Sequence, residues 1–440
     1  MAVPTTDAGQ PAARPAPARV CVVGAGFAGL AAAAALAEGG LEPVVLEARD
    51  RFGGRVHSRR LANGAVVELG AEFVEHDHAT LVATAARLGL AMAPTGMAYG
   101  DREPRGGLAV DRATVLAEVA RLRDLLADPD GPGPGGGPGD PGLLRPGRSV
   151  AEVLAELPLD PGARQAIAAR LQVSAGQPAE ELSAAVLGHA GSSFSTRESL
   201  RVAGGNQRIA LALAGRLPGA VQLGVPVRAV AWSEAGVRVA VEGAELEADA
   251  CVLAVPASVM GRIRFDPPLP AWKAVALGRV VYGHAAKLFV SLRRVPPASA
   301  VLSVPGHFWT WTANGADGAV QPVVSAFAGS APALAALEVA AGPAGWRRRL
   351  ADLRPDLELD RGELLSTWDD DPWVQAAYST RTPAFRPGDP DLLARRIGPI
   401  HFAGEHTAGP WSGLMEGALR SGHRAAAEVL ATQPGLRATL

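Results

Sequence analysis

Apolar positions along this chain recur with two periods, and each change of period marks a change of element. Arg19-Val20-Cys21-Val22-Val23 is a short β-branched run, and a glycine turn follows at Gly24-Ala25-Gly26-Phe27-Ala28-Gly29. Leu30 to Ala37 is an alanine-rich helical stretch stopped by Glu38-Gly39-Gly40, and Pro43-Val44-Val45-Leu46, closed by Glu47, reads as a second strand. Strand, glycine turn, helix and strand make a βαβ unit, which predicts a parallel, doubly wound sheet.

Arg112 to Ala127 carries apolar residues at helical spacing and runs into 128–142, where 12 of 15 residues are Gly or Pro. A segment so biased cannot pack a core and is expected to be a flexible surface loop. Ser149 and Glu152 have the spacing of a capping box ahead of Val153-Leu154, and helical patterns continue to about Ala190. From Val221 the period becomes two: 221–233, 236–243 and 244–256 read as successive strands with turns between them. Further strands are expected at 283–292, 308–313, 323–327 and 399–403, and a last helix at about 413–430. No internal repeat is visible. The alternation predicts two interleaved domains, each assembled from several segments.

Composition narrows the class. With 440 residues and 48% hydrophobic content the chain can bury a large core. A net charge of −2 argues against a nucleic-acid or anionic-membrane surface. No stretch approaches the ~18 apolar residues that span a bilayer, and the Ala/Pro-rich residues 1–17 read as a disordered tail, not a signal peptide. A cytoplasmic protein is expected. Cys21 and Cys251 lie in apolar strand runs and are expected to be buried free thiols. Lysine occurs only at Lys273 and Lys287 against 42 basic residues in all, so a lysine here is more a chemical choice than a surface filler. Lys287 stands in the apolar run Ala285-Ala286-Lys287-Leu288-Phe289-Val290, where burying a charge is costly. It is therefore read as functional, and Lys273 as structural.

The first glycine turn, Gly24-x-Gly26-x-x-Gly29, lets backbone approach a pyrophosphate at a helix N-terminus. Glu47 ends the next strand, where a carboxylate can accept both ribose hydroxyls. Arg49, Arg51, Gly53, Gly54 and Arg55 add a second anion cradle, with donors for phosphate and for a flavin ring edge. The last helix begins near Gly413 to Met415, and its positive end could stabilise an anionic reduced ring. Glu75-His76-Asp77-His78 are four consecutive polar residues that cannot all converge on one ion, so no metal site is expected and a pocket rim is the better reading. No Ser-His-Asp pattern is present.

These segments together resemble the flavin-containing monoamine oxidase family, which holds monoamine, polyamine and histone-demethylating amine oxidases. The resemblance rests on GAGFAGL (24–30), LEARDRFGGRV (46–56), ELGAEFV (68–74), AGGNQRI (203–209), GVPVRAV (224–230), HAAKLFV (284–290), STWDDDPWVQAAYS (366–379), HFAGEHT (401–407) and SGLMEGALRSG (412–422). It implies a Rossmann-type FAD-binding domain (18–80, 202–277, 371–432) interleaved with a substrate domain of mixed sheet and helices (81–201, 278–370), an α/β plus α+β architecture. It further implies that Gly24, Gly26, Ala28, Gly29, Glu47 and Ala48 hold the ADP half of FAD, with Val227 meeting the adenine through its backbone. Arg49, Gly54 and Arg55 would follow the pyrophosphate and the approach to the ring. Gly70, Ala71 and Glu72 would line the flavin, Gly404 and Glu405 would reach the pyrophosphate and ribityl region, and Gly413, Leu414 and Met415 would face the ring.

In such an enzyme Lys287 would meet flavin N5 through a water, and Tyr378 would form one wall of an aromatic cage for the amine. The second cage position falls on Leu414 where monoamine oxidases carry tyrosine, and the flavin-linking cysteine position falls on Ala377, so FAD is expected to bind non-covalently. Trp368, Phe73, Phe308, Trp309 and Trp311 are candidate pocket residues. The implied reaction is hydride transfer from the α-carbon of a neutral amine to flavin, giving an imine, with O2 reduced to H2O2. The expected partners are a small amine and O2, in a monomer or homodimer. A desaturase or protoporphyrinogen-oxidase-like dehydrogenase shares the FAD halves but generally lacks the lysine, and a non-catalytic flavin-binding protein is the remaining alternative. An L-amino-acid oxidase would need an arginine where Ala71-Glu72-Phe73 stands.

Overall fold

The computed structural model describes residues 19–126, 145–188, 194–219 and 221–432. The expected tail at 1–17 and the glycine/proline loop at 128–142 lie outside the described residues. The βαβ unit forms as read. Arg19–Val23 and Glu42–Leu46 lie parallel, and the sheet is completed by Ala250–Leu253 and Ile400–Phe402, in the order 42–46, 19–23, 250–253, 400–402. The alternation of a strand sends Val20 and Val22 to one face and Cys21 and Val23 to the other. The first face packs on the helices Phe27–Glu38 and Met415–Thr432. The second packs on a four-stranded layer of Ala229–Ser233, Gly236–Val241, Ala244–Ala248 and Arg264–Asp266. Both cysteines are buried free thiols, side by side in register.

The two helices meet closely because their contact is built from small residues. A Cβ on Gly422 would stand 2.2 Å from the Ala28 carbonyl oxygen, and one on Gly29 would stand 1.9 Å from that of Gly24. Neither position tolerates a side chain without moving the helix that opens the glycine turn.

A six-stranded sheet carries the second half of the fold, in the order Leu359–Thr367, Ala285–Leu292, Val323–Gly329, Phe308–Thr312, Ser299–Ser303 and Glu103–Arg105. Lys287 thus sits in an inner strand, paired with Phe327 on one side and Ser366 on the other. Helix Pro161–Ala175 contacts this sheet, starting at an Asp160 cap and ending at a left-handed Gly176. The capping box at Ser149 and Glu152 forms, opening helix Val150–Glu156.

Two strand expectations need correction. The run 221–233 is a strand only over Ala229–Ser233, because Gly224 turns with a positive φ of 70° and Pro226 donates no ladder hydrogen bond. The run 244–256 is two strands in two different sheets, Ala244–Ala248 and Ala250–Leu253, broken where the Asp249 side chain accepts the Arg19 backbone N–H. Among the described residues, no helix is long and apolar enough to cross a membrane.

Candidate active site

One cavity of about 310 Å³ runs from the glycine turns to the six-stranded sheet. At one end it is lined by Gly26, Phe27, Ala28, Arg49, Gly53, Gly54 and Arg55, and further along by Gly70, Ala71, Glu72, Gly404, Glu405, Gly413, Leu414 and Met415. At the other end stand Lys287, Phe73, Trp309, Trp311, Trp368 and Tyr378. Two of the chain's helices of more than two turns therefore open onto one space.

Several expected residues lie behind that lining. Gly24 and Gly29 shape the turn from outside the cavity, and Ala48 borders a neighbouring surface cleft shared with Arg49, Trp368 and Asp371. Val227 packs against the core beneath the second face of the parallel sheet. Glu47 is buried and ties the two glycine turns together, accepting the Ala25 N–H at 2.6 Å and the Arg49 N–H at 2.9 Å.

Phe308 is a correction. In a strand neighbouring side chains point to opposite faces, so Trp309 and Trp311 face the cavity and Phe308 cannot. Its ring packs edge-on against Trp346, with centroids 6.2 Å apart, in the core on the far side of the sheet.

The aromatic end is densely built. Trp309 and Trp311 stack with centroids 4.1 Å apart, and Phe73 lies 5.6 Å from each. Tyr99, which the sequence did not single out, closes the wall at 5.1 Å from Phe73. Ser174 joins the cavity's two tyrosines, accepting the Tyr378 hydroxyl through its backbone oxygen at 2.6 Å and meeting the Tyr99 hydroxyl at 3.2 Å. Burial pushes the Tyr378 phenol above its ordinary range. Behind this wall the buried Arg102 guanidinium lies 3.5 Å from the Trp309 ring centroid. Trp368 is held by its indole N–H, which donates to the Leu69 carbonyl at 3.1 Å.

Charged groups meet the cavity in pairs. Arg55 donates to Glu405 at 2.8 Å and to the Ala377 carbonyl at 2.8 Å. Burial alone would push the Glu405 carboxyl up, but Arg55, His406, the Ser379 hydroxyl and the Gly413 N–H outweigh it and hold it below the carboxylate range. Arg49 pairs with Asp371. Lys287 Nζ donates to Glu72 Oε2 at 2.8 Å and to the Glu68 carbonyl at 2.9 Å. The Glu68 carboxyl itself is pushed up to about 7 by burial, although the Asn206 N–H and the Ser58 hydroxyl both donate to it.

The segment Glu75-His76-Asp77-His78 disperses. Glu75 and His78 line the cavity, with the His78 ring nitrogen accepting the Glu75 N–H at 3.2 Å, while the His76 ring meets the Glu198 carbonyl at 2.9 Å. Among the described residues no group of three His, Cys, Asp or Glu is arranged to hold a metal ion. Glu75 and His78 belong to the segment read as a pocket rim, whereas Tyr99 and Ser174 were not legible as pocket lining, because a loop and a helix bring them to the cavity without a recurrent spacing.

The donors at the glycine end suit a flavin dinucleotide. Helix Phe27–Glu38 starts at the cavity from Gly26, with no side-chain cap and no acidic residue in its first turn. Its free N–H groups, with Arg49 and Arg55 beside them, form an anion site of the kind that takes a pyrophosphate. The cavity then continues past Gly70 and Lys287, with room for a planar ring against an aromatic wall.

Such a cavity belongs to a flavin-dependent oxidoreductase, and comparison with known proteins gives the family. The model of the flavin containing amine oxidoreductase family matches residues 27–133 and 142–430, and the chain belongs to that family. It is an enzyme of the flavin amine oxidase class. The chain is 31% identical to the AofH protein of Mycobacterium tuberculosis (strain ATCC 25618 / H37Rv), provisionally named a flavin-containing monoamine oxidase, over 94% of this chain and 96% of that one. It is 27% identical to the flavin-containing amine oxidase B of Sus scrofa, over 93% and 86% of the two chains. A solved putrescine oxidase bound to putrescine superposes with a TM-score of 0.79 at 25% identity, covering 94% of this chain and 99% of that one.

Proposed function

We propose that this protein binds FAD non-covalently and oxidises a small amine at its α-carbon, using O2 as acceptor. The observation that carries the reading is the single cavity in which two helix N-termini, a buried lysine and an aromatic box meet. The chemistry supplied by bound FAD is two-electron oxidation of the α-C–H bond of a neutral amine to an imine, with O2 reduced to H2O2. Glu47, Arg49, Arg55 and Glu405 bind and orient the dinucleotide within segments 18–80, 202–277 and 371–432. Tyr378, Phe73, Trp309 and Trp311 exclude water and offer ring faces to the amine. Lys287 holds a positive charge and a donatable proton at the cavity wall, where reduction of oxygen calls for both. Neither cysteine reaches the cavity, which supports the non-covalent reading.

An anaerobic titration tests this. The purified flavoprotein, mixed with primary, secondary, aromatic and polyamine substrates, should bleach with one class and regain its colour in air with peroxide formed. A flavin that dithionite reduces and no amine bleaches would refute it. Lys287→Met should slow reoxidation by about tenfold or more, the scale of losing one charge-stabilising group, and an unchanged oxygen rate would remove the lysine from the reaction.

A further inference from the structure

Lys287 is 7% exposed, and a buried ammonium needs a counter-charge. Its neighbourhood supplies one in a specific way. Glu72, 5% exposed, receives Lys287 Nζ on Oε2 at 2.8 Å. Its other oxygen, Oε1, accepts the Arg201 guanidinium at 3.3 Å and the Trp311 indole N–H at 3.2 Å. The backbone is fixed as well, because the Asn206 amide donates to the Glu72 carbonyl at 2.6 Å. Arg201, 7% exposed, is itself tied to the Asn314 carbonyl, and Trp311 is locked in its stack with Trp309.

From this geometry we infer that Glu72 is a positioning residue: its carboxylate, clamped by Arg201 and Trp311, keeps Lys287 charged and aimed at the cavity. Two cations share one carboxylate, so the cluster carries a net charge of plus one toward the space where the flavin ring would lie. Without the carboxylate, two like charges would face each other in a dry wall, and the lysine, unlike the guanidinium, can relieve that by losing its proton. Glu68 is the other titratable group against the lysine, and it cannot replace Glu72. It offers Lys287 only its backbone oxygen, and its carboxyl, turned to Ser58 and Asn206, is pushed up to about 7 by burial. The inference rests on the amine-oxidase reading only for its consequence, the speed of flavin reoxidation; the charge of Lys287 is a property of the chain.

The composition supplies the test. With only two lysines in the protein, selective labelling of the lysine side chains with 13C and 15N gives two ammonium signals by NMR, and Lys287→Met assigns them. Lys273 serves as an internal reference: among the described residues no carboxylate is ion-paired with it, it donates to the Leu392 and Leu393 carbonyls, and it is pushed down to about 7 by burial. Over about pH 6 to 9 the Lys273 signal should pass from ammonium to amine while the Lys287 signal keeps its ammonium position. In Glu72→Gln the Lys287 signal should move to the amine position within that range, and Glu72→Asp should restore it. A Glu72→Gln spectrum with Lys287 unmoved would overturn the inference. If that variant does not fold, the wild-type titration decides, since a Lys287 that loses its proton together with Lys273 also overturns it. In the flavin-loaded protein Glu72→Gln should slow reoxidation more than reduction by amine. Absence of bleaching in the wild type would count against the amine-oxidase reading and leave the lysine signals to judge Glu72 by themselves.

Discussion

Glu47 shows what one carboxylate can hold. It accepts backbone N–H groups from both glycine turns, at Ala25 and at Arg49, from a buried position. Hydrogen bonds to a buried charged group contribute about 1.5–3 kcal/mol each, so Glu47→Ala should loosen both turns and lose flavin. The flavin-to-protein ratio after gel filtration measures this, and full retention would show that the carboxylate is dispensable. Glu47 was legible because it closes a strand at a fixed distance from a glycine fingerprint, and Lys287 because this chain spends so few lysines. Glu72 was named only as a flavin-lining position, and its clamp was not legible, because Arg201, Lys287 and Trp311 are each more than a hundred residues away in sequence; Tyr99 likewise meets Phe73 and Ser174 only through folding. Phe308 was misread for a simpler reason, since an aromatic cluster in a strand divides between two faces and composition does not say which.

At the level of elements, the decisive contact is the crossing of helices Phe27–Glu38 and Met415–Thr432, because both open onto the cavity. Gly422 sets their separation, with the Ala28 carbonyl 2.2 Å from where its Cβ would stand. Gly422→Val must push the first helix away, at a cost of about 1–3 kcal/mol for overpacking. Flavin affinity and melting temperature should fall together, since Ala28 also lines the cavity. A variant that melts lower but binds flavin as tightly would separate the packing from the site. Most elements were legible from period and turn residues, the first strand, the capping box and the Lys287 strand among them. The break at Asp249 was not, because alternation reports that a segment is a strand and says nothing about which sheet it joins. Leu359–Thr367 escaped for the opposite reason: it is an edge strand with a largely polar, part-exposed sequence, and it is held to Ala285–Leu292 by a backbone ladder that leaves no apolar alternation to read.

Over the whole molecule, the parallel sheet gathers strands from the start, middle and end of the chain, so its stability is shared by distant segments. The two cysteines pair off in that sheet, and the site position expected of a flavin-linking cysteine is Ala377. Acid denaturation should therefore release all the FAD into the supernatant, and colour retained on the precipitated chain would contradict non-covalent binding. Two buried groups also write a pH signature into the folding equilibrium. Burial raises the Glu68 carboxyl from 4.5 to about 7, so the unfolded chain ionises first and stability is lost as pH climbs from about 4.5 to 7. Burial lowers Lys273 from 10.5 to about 7, so the unfolded chain holds the proton longer and stability is regained as pH climbs from about 7 to 10.5. At about 1.4 kcal/mol per unit of displacement, each limb is worth on the order of a few kcal/mol. His406 and His57, both pushed down to about 4 mainly by burial, act in the opposite sense across the lower window, so the wild-type curve alone conceals the Glu68 limb. The difference between variants isolates it. Glu68→Gln can keep its bonds to Ser58 and Asn206 while losing the charge. Its melting temperature relative to wild type should rise steadily between about pH 4.5 and 7 and then level off. A difference that stays constant across that window would mean that Glu68 is ionised in the folded protein at no cost, and that the lysine it abuts supplies more compensation than its backbone contact allows.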